Sequence, residues 1–181
     1  MSAATHGFSV PSRLLHWLMA LLILAMLFIG VGMVATVSSR YELLVSIHKP
    51  LGVAILVLAA IRLVNRMINP PPPLPATLPP VQRLAAGASH VLLYVLMFAM
   101  PLIGWGMLSA AGYPIVLYGQ AQLPSILPHN AYLYAALRQA HTVCAFLLFA
   151  LVVLHFAAAL YHGLIRRDGV LQAMTSGRPG R

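Results

Sequence analysis

Four long apolar stretches dominate the chain, and the polar residues between them decide how they are arranged. No charged side chain occurs between Arg13 and Arg40, and the run exceeds the ~20 residues a bilayer demands of a helix. It reads as one helix over about 14–36, too long for the ~7–15-residue apolar centre of a secretory leader. A second span covers about 43–64, with Glu42 and Lys49 at one end. Residues 69–80 then read as an extended, water-exposed linker, because Pro70, Pro71, Pro72 and Pro73 in sequence can form neither helix nor ladder. The uncharged stretch between Arg83 and Arg138 is too long for one helix. It is read as a third helix over about 82–108, kinked at Pro101 where an amide is missing, followed by a partly apolar loop marked by Gly112, Pro114, Gly119, Pro124 and Pro128. Tyr113, Tyr118, Tyr132 and Tyr134 suit a membrane interface there. The fourth helix covers about 132–165. The pattern therefore predicts an all-α integral membrane protein, a four-helix bundle running up-down-up-down within a single membrane domain over residues 1–181.

Composition agrees with that pattern. Charged residues make up 7% of the 181 and apolar ones 61%, where a soluble domain carries about 25% charged residues. The net charge of +9 raises nucleic-acid binding, but the basic residues sit at the ends of apolar runs rather than on one solvated face interleaved with aromatics. They are topology signals. Arg13, Arg62, Arg66, Arg83, Arg166, Arg167, Arg178 and Arg181 fall on the side of the termini and the linker, against Arg40, Lys49 and Arg138 on the other. That bias predicts cytoplasmic termini. The single cysteine, Cys144, lies inside an apolar run and reads as a packing residue.

The candidate chemistry lies in the histidines. His16, His48, His90, His141, His155 and His162 fall within predicted helices, whereas His6 and His129 read as solvated tail and loop residues. Ionisable groups at membrane depth are costly and usually functional. His141 and His155 are 14 residues apart, close to four turns, so they share a face of the fourth helix and are separated by ~21 Å of rise. With alternating helix directions, His16 and His90 lie at the depth of His155, and His48 at the depth of His141. Paired histidines from facing helices at two depths suit axial ligation of two b haems. The same interval places Gly30 after His16 and Gly104 after His90, where a flat macrocycle or a neighbouring helix could approach. It also places Arg62 after His48, at the level of the cytoplasmic pair, where a guanidinium can bind a haem propionate in bidentate fashion or anchor the helix end. A bare zinc ion would want three or four clustered ligands, often with thiolates or carboxylates. The helices offer no acid besides Glu42.

These residues also carry a resemblance. The pieces are His16-Trp17, Ile47-His48 with Gly52, Arg62, the proline linker, His90 before Leu93-Tyr94, Pro101 with Ile103-Gly104, His141, and Leu154-His155 with Ala157-Ala158-Ala159-Leu160. In this combination, over nearly its whole length, the chain resembles the bacterial cytochrome b561 family of four-helix dihaem quinone-linked cytochromes. The resemblance implies a multi-pass protein of the bacterial inner membrane. It implies that His16 and His155 ligate the cytoplasmic haem b, that His48 and His141 ligate the outer one, and that His90 and His162 attend a quinone such as ubiquinone on the cytoplasmic side.

The electron donor is the open question at this stage. The resemblance includes superoxide oxidases, which pass electrons from periplasmic superoxide through both haems to ubiquinone. Lys49 beside His48, and Arg138 three residues before His141, would draw a small anion to the outer haem. The same charges would also anchor helix ends or pair with propionates, and a periplasmic redox protein could be the donor instead. Two further readings fit the residues: a haem-bearing membrane subunit of a larger dehydrogenase, and a cation transporter with a histidine relay.

Overall fold

The computed structural model describes residues 7–117 and 121–177. His6, Tyr118, Gly119, Arg178 and Arg181, considered above, lie outside that set. Four helices, α1 (Val10–Ala35), α2 (Arg40–Ile68), α3 (Pro80–Ala111) and α4 (Ala131–Leu160), form the body. Each is long and apolar enough to cross a membrane.

All four start before the residue expected from the apolar pattern, and α2 and α3 also end later; the local chemistry explains the difference. α1 starts at Val10 because Ser9 caps it, its hydroxyl accepting from the Ser12 amide, while Pro11 sits in the first turn where its missing N–H is no loss. α3 begins at Pro80, a residue assigned above to the linker, for the same reason. It ends where Gly112 turns left-handed at φ 74°, a conformation that glycine adopts without strain. α2 continues through Pro50 and past its apolar run to Ile68, with Arg62, Asn65 and Arg66 on its last turns. Asn130 caps α4, its side-chain oxygen accepting from the Leu133 amide at 2.9 Å.

Three elements were not foreseen. The loop after α3 contains a short antiparallel hairpin, β1 (Ile115–Val116) and β2 (Gln122–Leu123), with Ile115 opposite Leu123. It is tied back to α3 by the Trp105 indole donating to the Pro124 carbonyl at 2.9 Å. α4 passes into a π-helical turn, Tyr161–Arg166, and a short helix α5 (Val170–Thr175) follows. α5 folds back on the start of α1, the Trp17 indole donating to the Met174 carbonyl at 3.2 Å. Gly163 permits this return, since any side chain there would collide with Leu171.

The bundle is built as two hairpins. α1 packs along α2 and α3 along α4, with a lesser α2–α3 seam. The buried cluster joins Met19, Ile55, Ala59 and Met97 from α1, α2 and α3. Outward-facing positions are themselves apolar, among them Leu21, Phe28, Phe146, Phe156 and Ile165. In water such a surface would be an aggregation liability. In lipid it is the expected exterior, with the backbone satisfied inside the helices. The end bearing the start of α1, the 69–79 linker and α5 is called the linker end below; the opposite end, with β1 and β2, is the hairpin end.

Candidate functional site

Helix periodicity delivers the histidines to two levels. At the hairpin end His48 on α2 faces His141 on α4, with ring centroids 6.2 Å apart. At the linker end His16 on α1 faces His155 on α4, also at 6.2 Å. Backbone contact between α1 and α4, and between α2 and α4, is sparse compared with that inside each hairpin. The histidine pairs thus bridge the helix pairs that do not pack directly.

That arrangement fits a ligated metal at the centre of a flat group. An imidazole centroid lies about 1.1 Å from its ring nitrogen and a metal–imidazole bond is about 2 Å, so two axial imidazoles on one metal stand roughly 6 Å apart. The histidines are also poor candidates for simple packing residues. Nδ1 of His16 and of His48 is buried and finds no hydrogen-bond partner among the described residues, a situation that costs free energy unless the ring has another use. No cluster of three or more His, Cys, Asp or Glu side chains suited to a bare metal ion occurs among the described residues. The donor set is therefore one of neutral pairs, which suits haem better than a naked cation.

The two glycines at the outer level differ. A Cβ on Gly104 would lie 3.4 Å from Cε1 of His141, so α3 approaches that ring closely, whereas a Cβ on Gly30 would meet nothing within 4 Å. Gly104 therefore lies within ordinary contact range of the His141 ring, and Gly30 borders open space.

The surroundings of the linker-end pair are richer than the sequence indicated. His90 on α3 lies 5.6 Å from His155, centroid to centroid, so three histidines from three helices gather there. The Arg62 Nε donates to the Tyr94 hydroxyl at 3.2 Å, and the guanidinium groups of Arg62 and Arg66 lie 5.9 and 5.8 Å from the Tyr94 ring centroid. Two cations thus converge on one aromatic ring. Asn65, between them, donates to the Ser12 hydroxyl at 2.8 Å and accepts from Asn69 at 3.0 Å. A small cleft lined by Ser12, Arg62, Asn65, Arg66, Tyr94 and Met174 opens here. Of the chain's two acidic residues, Glu42 begins α2 at the far end and Asp168 is engaged elsewhere. Neither of the ion pairs found among the described residues involves Arg62 or Arg66. Their charge is free to meet an anionic ligand such as a propionate. Arg66 and Tyr94 were missed as site residues; the four-residue step from Arg62 to Arg66, one helical turn, was the available signal.

His162 is not brought against His90. It lies in the π-helical turn with Nδ1 2.6 Å from Oδ2 of Asp168, and Arg166 Nε donates to the same oxygen at 3.1 Å. Burial by itself would raise the Asp168 carboxyl. The hydrogen bonds from His162, the Val170 amide and Arg166 outweigh it and hold the group below its usual range.

At the hairpin end the proposed steering residues are simpler. Arg138 is exposed, its NH1 lying 3.5 Å from the Tyr134 hydroxyl. Lys49 follows His48 within α2. His129 packs near Gly112 in the loop.

Residues 7–177 match the family described as prokaryotic cytochrome b561. The chain is similar to "Cytochrome b561 homolog 2" of Escherichia coli (strain K12), 33% identical over 170 residues that cover 92% of this chain and 90% of the relative. It is 30% identical to "Cytochrome b561 homolog 1" of the same organism over 175 residues, covering 92% and 96%. It is 28% identical over 171 residues to "Probable superoxide oxidase CybB" of Yersinia pestis, covering 92% and 94%.

Proposed function

Because the chain belongs to the prokaryotic cytochrome b561 family, it is a multi-pass haem-b electron carrier of the bacterial inner membrane, and we propose that it carries two haems and connects a donor at the hairpin end to quinone at the linker end. The observation that carries this reading is the pair of 6.2 Å histidine separations on one helix, at two depths. Each haem supplies reversible one-electron chemistry when bound, and two of them divide the membrane crossing into shorter steps.

The chain's own residues have separate tasks in this scheme. His48 and His141 hold the outer haem and His16 and His155 the inner one, with both termini in the cytoplasm. Arg62 neutralises an inner propionate, helped by Arg66, and so favours the reduced state of that haem. His90 and His162 serve the quinone, whose two oxygens need hydrogen-bond donors and, on reduction, protons. Lys49 and Arg138 give the hairpin end a positive field suited to a small anion. Superoxide as that anion is supported by the similarity to the probable superoxide oxidase of Yersinia pestis.

Stopped-flow spectroscopy of the purified protein tests the scheme by half-reactions. Superoxide should reduce the haems, and a short-chain ubiquinone should reoxidise them. If wild-type haem is not reduced by superoxide, the donor is a different one and a redox protein takes its place.

A further inference from the structure

The sequence pattern gave no role to Asp168, yet it is the acid around which the end of α4 is organised. In a regular α-helix a residue six positions after His162 would lie off its face. Here the π-helical turn Tyr161–Arg166 widens the spiral, Arg167 then adopts φ 51° and Gly169 φ 83°, and the chain reverses. π-Turns of this kind recur at functional sites, and a left-handed arginine is an uncommon, strained choice. The product of this backbone path is the 2.6 Å contact between His162 Nδ1 and Asp168 Oδ2.

The chemistry of that contact is determined by its partners. Asp168 also accepts from Arg166 Nε at 3.1 Å and, through Oδ1, from the Val170 amide at 3.4 Å. A carboxylate receiving three donors is ionised and can only accept. The proton therefore sits on His162 Nδ1, and Nε2 is the nitrogen left for exchange. Arg166 is in turn anchored to α3, its NH1 donating to Gln82 Oε1 at 3.3 Å. Both side chains are largely shielded, at 15% and 10% exposed, so the ring has little freedom to turn over.

We propose that Asp168 is a positioning residue for His162, fixing its tautomer and ring orientation so that Nε2 exchanges protons with the quinone. This rests on the quinone reading above. Each electron that reaches the quinone from the haems is matched by one proton: Nε2 takes it up from water at the linker end, the Nε2–H bond breaks as a quinone O–H bond forms, and two such transfers complete the quinol. Asp168 stays ionised throughout, orienting the ring and balancing its charge. The bland alternative is that Asp168 only caps α5.

The test is reoxidation of the pre-reduced, fully haem-loaded protein by a short-chain ubiquinone in detergent, followed by stopped flow. Asp168→Asn keeps an oxygen for the Val170 cap but removes the charge. It is expected to lower the maximal rate about tenfold, less than the ~10²–10⁴-fold a positioned proton donor itself supplies, while changing the half-saturating quinone concentration little. Asp168→Glu, which restores the charge one methylene further out, should recover part of the rate. In a His162→Phe background, Asp168→Asn should add nothing, because the two act as one unit. A wild-type rate for Asp168→Asn with a slow His162→Phe would reduce Asp168 to a cap and leave the quinone reading standing. Multiplicative losses in the double variant would also overturn the proposal. A wild-type rate for His162→Phe would sink the quinone reading itself. Should Asp168→Asn lose haem, Asp168→Glu and its double with His162→Phe carry the same decision.

Discussion

The two ends of the bundle present the same pair of histidines in different company. At the hairpin end His48 and His141 meet with no third histidine ring against them among the described residues, with Gly104 as a close neighbour and Arg138 exposed nearby in sequence. At the linker end the His16–His155 pair has a third histidine beside it, and Arg62, Arg66 and Tyr94 form a cationic cluster on the adjoining turns. Beyond them lies the His162–Asp168–Arg166–Gln82 chain of contacts. A site that only passes electrons needs ligands and a dry shell. One that also moves protons and holds anions needs titratable groups with fixed partners. On the reading proposed above, this contrast assigns the two ends unlike halves of one reaction, and it can be broken by changing each end separately.

The largest effect should come from the ligands. His141→Ala or His48→Ala is expected to remove the hairpin-end haem entirely while the linker-end haem stays substantially bound, read as a halved haem-to-protein ratio in folded protein. Loss of all haem from either variant would mean that the two levels are not independent. Next in size is His162→Phe, expected to slow reoxidation by ubiquinone by roughly 100-fold or more without altering reduction from the hairpin end. A similar slowing of both half-reactions would erase the distinction between the ends.

A smaller change is expected from the cationic cluster. Arg62→Gln should lower the potential of the linker-end haem by on the order of 50 mV, the size of losing about 1 kcal/mol of charge stabilisation at intermediate dielectric, where about 60 mV corresponds to a tenfold change for one electron. The hairpin-end haem should barely move in a redox titration. Equal shifts in both would show that Arg62 acts through the overall field. The smallest effect is that of the steering charges. Neutralising Lys49 and Arg138 together should slow reduction by superoxide a few-fold and flatten its salt dependence, because exposed charges are screened over ~8–10 Å at physiological ionic strength.

The sequence conveyed the two levels better than the detail around them. A 14-residue interval on a helix is close to an integral number of turns, so His141 and His155 had to share a face whatever the packing. The four spans were equally legible, because a bilayer requires length and an absence of charge. Their ends were not, since caps such as Ser9, Asn130 and Gly112 extend helices past the apolar pattern. The His162–Asp168 contact depends on a π-helical turn and a left-handed arginine, which tertiary packing decides and periodicity does not register. Its only sequence trace was the presence of a second acid in a chain that has just two. Arg66 was visible as a charge but its convergence with Arg62 on Tyr94 needed the α2–α3 seam.

The central claim is that one chain holds two haems between histidines at two depths. A reduced-minus-oxidised spectrum of the purified protein, with haem and protein quantified on the same sample, tests it most directly. The account predicts two b haems per chain, with spectra of six-coordinate, low-spin type from paired imidazoles. A stoichiometry of one haem in intact, folded protein would contradict it.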